Sequence, residues 1–155
     1  STLDRSSAAS DVYKRQVLED AGLDPDDYRD FAVYNTEDAV EASAGAARFM
    51  KEKGMDSRLC FTTALCIEEV CMNTVKYGFG DGSMGHHAEV RVIISGDQYI
   101  VRFRDDCLAF DPTKYLELHN DNEPASHIGI RTMMAFSKEA IYINSLGLNN
   151  LTLKL

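Results

Sequence analysis

At 155 residues the chain is of a size to enclose one hydrophobic core. A formal charge of -9 argues against a nucleic-acid partner, because phosphate backbones are gripped by basic patches. Hydrophobic content of 45% beside 26% charged residues is that of a globular domain, and no apolar run nears the roughly 20 residues that span a bilayer. The first residues are polar and contain no apolar secretory segment, so no membrane segment or export is expected. Four cysteines, Cys60, Cys66, Cys71 and Cys107, show no C-x-x-C spacing and sit mostly among apolar neighbours. That pattern predicts reduced thiols in a cytoplasmic protein. His86 and His87 are adjacent with no cysteine pair close in sequence, which speaks against a zinc site.

Residues 1–16 are Ser/Ala-rich and aperiodic, and read as a disordered leader or a scar of cloning or sequence assembly. Residues 17–155 are expected to form a single domain. An acidic turn follows at Asp24-Pro25-Asp26-Asp27, then a short strand over Phe31 to Tyr34. Asn35 or Thr36 caps a helix that runs to about Lys53, with Val40, Ala44, Ala47 and Phe49 or Met50 inward. Gly54 stops it. Asp56 or Ser57 caps a second helix, ending near Tyr77, and a glycine-rich loop covers Phe79 to His87.

Glu89 to Ser95 and Tyr99 to Arg104 are rich in β-branched and aromatic residues around a Gly96-Asp97 turn, so they predict a hairpin. Asp105 to Pro112 leaves it as a loop, and Thr113 to Ser126 is a polar connection. A short helix is predicted over Ile128 to Phe136. Two last strands, Ala140 to Asn144 and Leu148 to Leu155, are joined by Ser145-Leu146-Gly147. Hairpins without βαβ crossovers imply an α+β two-layer sandwich, its sheet mixed but mostly antiparallel and its helices on one face.

Function is most legible in the second helix. Glu69, Asn73 and Tyr77 recur every fourth residue, so a carboxylate, a carboxamide and a phenol share one helical face. Leu65, Cys66, Val70, Cys71 and Val75 supply the opposite, buried face. Such a line running into Gly78, Gly80 and Gly82 suggests a concave, ligand-bearing surface. The bland alternative for Glu69 and Asn73 is a solvated helix face.

With D-D-C-L-A-F-D-P from Asp105 to Pro112, and H-I-G-I-R-T-M from His127 to Met133, the chain resembles the GHKL (histidine-kinase-like, Bergerat) ATPase superfamily. The likeness is strongest to its anti-sigma-factor serine/threonine kinases and covers roughly Phe31 to Leu155. It implies ATP and Mg²⁺ as cofactors. Asn73 would be the Mg²⁺ ligand and Glu69 the general base. Asp105 would accept a hydrogen bond from the adenine amino group, with Asp106 as the register alternative. Cys107 and Ala109 stand where the family has glycines in its first glycine box. His127 and Gly129 occupy the second box, near Arg131, which with Lys114 could add positive charge. Tyr77 replaces a family histidine. The resemblance also implies a STAS-type anti-anti-sigma protein or a sigma factor as partner, and a homodimer formed through the sheet or the first helix. The replaced glycines support an alternative: a degenerate nucleotide-binding module that grips a partner without catalysis. A hydrolase using the cysteines with His86 or His87 has no spacing to recommend it.

Overall fold

The computed structural model describes residues 2–81, 85–114 and 128–155. Its backbone is organised by a five-stranded sheet in the order β1-β2-β3-β5-β4. The strands are β1 (Tyr28–Val33), β2 (Ala88–Ser95), β3 (Gln98–Asp105), β4 (Glu139–Ser145) and β5 (Leu148–Lys154). Every pairing is antiparallel. The fold is thus the α+β sandwich expected. The hairpins form where the turn residues put them: Gly96 turns β2 into β3 at φ +56°, and Leu146-Gly147 turns β4 into β5 with both φ values positive. β1 begins three residues earlier than the sequence suggested and becomes an edge strand on β2.

Alternation along the strands divides the sheet into two faces. Val90, Val92, Val101, Phe103, Leu151 and Leu153 point to one face and are almost wholly buried. Helices α2 (Thr36–Glu52), α3 (Ser57–Asn73) and α4 (Ile128–Phe136) cover them. The caps of the first two are local. Asn35 accepts from the N–H of Asp38, and Asp56 accepts from those of Arg58 and Leu59. Gly54, at φ +79°, ends the link between them. On α2 the inward face is Ala39, Ala42, Ser43, Ala46, Phe49 and Met50. It is rotated from the expected one, since Val40 and Ala44 face out. Small residues let α2 lie close to α3, and Ser43 Oγ spends its proton on the Ala64 carbonyl at 2.8 Å.

The opposite face carries Arg91, Arg102, Asn150 and Thr152, and here the reading of residues 1–16 as a disordered leader is corrected. Residues from Thr2 to Ala21 form a helix, α1, laid on that face. Polar groups buried on a sheet need partners, and α1 brings them. Gln16 bonds Asn150 at 3.0 Å and Thr152 at 3.3 Å. Asp20 bonds Arg91 at 3.0 Å and also Arg102, whose guanidinium is buried. Those partners lie more than seventy residues away, so the local sequence of α1 contains no trace of them. The helices therefore occupy both faces, with α2, α3 and α4 forming the main second layer.

Candidate functional site

α3 does not end as an α-helix. After Asn73 the backbone widens into a π turn, Thr74–Gly78, and then a 3₁₀ turn, Phe79–Asp81. Thr74 Oγ1 bonds back to the Val70 carbonyl at 2.9 Å where the change begins. Such π turns often mark functional segments. Tyr77 lies on this turn and is 79% exposed at a rim.

That rim bounds a cleft of about 760 Å³. One wall is the end of α3 and its π turn, with Asn73, Thr74, Tyr77 and Gly78. The facing wall is the exit of β3 and the loop after it, with Asp105, Cys107, Leu108, Ala109 and Phe110. Val70, Phe103, Ile130 and Leu151 make an apolar floor. Few polar groups over an apolar floor, at a volume within the roughly 300–1,000 Å³ of ligand sites, is the composition of a small-molecule pocket. A second hollow of about 320 Å³, between α1 and Arg91 and Arg104, is more open and holds none of the site residues that the sequence predicts.

Asp105 is held from two sides. Its Oδ1 accepts from the Cys107 N–H at 3.0 Å and from Asn149 Nδ2 at 2.8 Å. Asn149 is the hub of this wall. Its Nδ2 also donates to the carbonyls of Cys107 and Leu108, at 3.2 and 3.1 Å. Its Oδ1 accepts from Tyr142 Oη, from Asn144 Nδ2 at 3.2 Å and from the Phe110 N–H at 3.4 Å. Burial pushes the Tyr142 phenol up, and the carboxylates of Asp111 and Asp105 add to that. Sequence reasoning gave Asn149 no role. Its one signal was an amide inside a strand, where amides are depleted, directly opposite Asp105 in the register.

A scan against protein-family models and a search of curated proteins both find no match to this chain.

The other sequence-predicted residues divide. Asn73, Tyr77, Asp105, Cys107 and Ala109 line the cleft together. Glu69 does not line it. Its Oε2 accepts the Ile130 N–H at 2.9 Å and so caps the first turn of α4, where a negative charge meets the helix dipole. Gly129 makes this contact possible. A Cβ there would sit 2.8 Å from Cys66 N and 2.9 Å from the Leu65 carbonyl carbon, both backbone. Arg131 is half-buried on α4 and outside the cleft lining. His127 lies outside the described residues. Lys114 is exposed beyond the cleft.

Phe110 is 56% exposed at the cleft lip. The cysteines are all free thiols, three buried and Cys107 half-buried. Cys107 does have imidazole company, however. Its Sγ, a ring nitrogen of His86 and a carboxylate oxygen of Asp106 lie within 4.8 Å of one another.

Proposed function

We propose that this chain is an ATP·Mg-binding regulatory domain of the GHKL type, nearest in kind to the anti-sigma-factor serine/threonine kinases. The observation that carries the reading is a single cleft with Asn73 on one wall and Asp105 on the other. An apolar floor suits a base, and a carboxylate held at its edge suits an exocyclic amino group. The donor set fits the metal as well, since hard Mg²⁺ takes neutral and anionic oxygens and retains water and phosphate ligands. Asn73 would supply such an oxygen. Bound Mg²⁺ would offset the charge of the triphosphate, and catalysis of phosphoryl transfer is largely positioning and charge neutralisation. Glu69, one turn before Asn73, is the nearest carboxylate on that helix face to accept a proton from a partner hydroxyl. Leu108 and Phe110 are exposed at the cleft lip, which suits a protein partner of the STAS or sigma-factor type.

A second reading has its own support. The Glu69 carboxylate is engaged by the first turn of α4, and Cys107 and Ala109 place side chains on the cleft wall. Both features favour nucleotide binding coupled to partner capture without phosphoryl transfer.

The test is a thermal-shift titration with Mg·ATP. A ligand at 100 times its Kd stabilises by about 2.7 kcal/mol, so wild type should melt several degrees higher, and Asn73→Ala should lose the Mg²⁺-dependent part. A wild-type protein indifferent to millimolar Mg·ATP would end the nucleotide reading. Transfer of the γ-phosphoryl group to a STAS-type protein, lost in Glu69→Gln, separates kinase from binding module.

A further inference from the structure

Beside the cleft, two loops from distant parts of the chain meet. One precedes β2 and carries His86 and His87; the other follows β3 and carries Asp106 and Cys107. They are cross-linked before any ligand is considered. The Asp106 N–H donates to the His87 carbonyl at 3.2 Å, and the His87 N–H donates to Asp106 Oδ1 at 3.0 Å. His86 Nδ1 lies 3.0 Å from the same oxygen. The His86 ring stacks on Phe79 with centroids 5.4 Å apart and planes 7° from parallel, which sets its orientation. Cys107 Sγ can come close only because Gly78 has no side chain: a Cβ there would stand 2.6 Å from the sulfur.

We propose that His86, Asp106 and Cys107 form a binding site for a borderline-soft divalent transition metal, of the Zn²⁺ or Co²⁺ class. Imidazole, carboxylate and thiolate together select such ions over Mg²⁺ or Ca²⁺, which prefer all-oxygen shells. Three protein ligands leave a fourth position for water. Metal bonds of about 2.0–2.3 Å in a tetrahedron set donor atoms roughly 3.3–3.7 Å apart. The three donors lie within 4.8 Å of one another, so no pair has to close by more than about 1.5 Å. Binding displaces the Cys107 thiol proton to solvent. Bound metal would pin the wall of the cleft at Cys107 to the loop before β2. The site is separate from the Asn73 oxygen assigned to Mg²⁺, and it does not depend on nucleotide binding.

Co²⁺ titration of the purified, reduced chain without nucleotide tests this. Wild type should take up one Co²⁺ with a near-ultraviolet thiolate-to-cobalt charge-transfer band, and Zn²⁺ should displace it. Cys107→Ser should lose the band. His86→Ala and Asp106→Asn should each weaken binding by about ten-fold or more, since even outer partners of a metal site are worth that much. Circular dichroism establishes that each variant is folded. If Cys107→Ser fails to fold, the His86 and Asp106 variants still decide the matter, because unchanged affinity in both overturns the site. So does a folded wild type with no charge-transfer band, or a band that survives in Cys107→Ser.

Discussion

Asn149 shows how much one amide can organise. It satisfies backbone groups at Cys107, Leu108 and Phe110 while holding Asp105 and Tyr142 in place. Removing it would leave several half-buried polar groups without their partner, each costing more than a lost bond between exposed groups. Asn149→Ala should therefore lower stability by about 1–3 kcal/mol, read from urea denaturation. It should also weaken Mg·ATP binding, because Asp105 loses the donor that aims it. A variant as stable as wild type would show that the loop keeps its shape by other means. Glu69 is the opposite case. Its helical spacing with Asn73 was plain in the sequence, but its engagement by Ile130 was not, because that depends on Gly129 letting α4 touch α3.

At the scale of elements, most boundaries follow from local chemistry. Asn35, Gly54, Asp56 and Gly96 act where their side chains or their freedom at positive φ would place them. The turn between β4 and β5 is less well matched. Leu146 sits at φ +56° and is 73% exposed. A branched side chain in the left-handed region is strained by roughly 1 kcal/mol, and little packing offsets it. Leu146→Asn should raise the urea midpoint, by about 0.5–1 kcal/mol of stability. A lower midpoint would mean that Leu146 makes contacts worth more than the strain. The π turn after Asn73 was not legible, since Thr74 to Gly78 continues a helical pattern and only packing decides that the helix widens there.

For the molecule as a whole, the buried thiols link stability to pH. Burial pushes Cys66 far up, with the Glu69 charge adding to it, and pushes Cys71 up to about 12. Burial raises Cys60 as well. In the unfolded chain such thiols ionise near 9.0. A folded value above the unfolded one means stability that is complete below about pH 9 and is lost as pH rises toward the folded value. Urea midpoints should thus fall between pH 8 and pH 10.5, with Cys71→Ala showing a shallower fall than wild type. Equal slopes would show that other groups govern alkaline unfolding. For the same reason, alkylation at pH 8 should reach Cys107 first and the three buried thiols only on unfolding. Among the described residues no helix is long and apolar enough to cross a membrane.

The sequence by itself determined the antiparallel α+β architecture, the hairpins and the helix caps, because periodicity, β-branching and turn chemistry act over a few residues. It also marked Asn73 by its helical spacing, and Asp105 by the family resemblance of its loop. Only tertiary structure decided that these two share a cleft, that Glu69 turns to α4, that Asn149 holds the far wall, and that Cys107 meets His86. It decided, too, that residues from Thr2 onward are helix against the polar sheet face. Each of these depends on groups far apart along the chain, whose meeting is set by how sheet and helices pack.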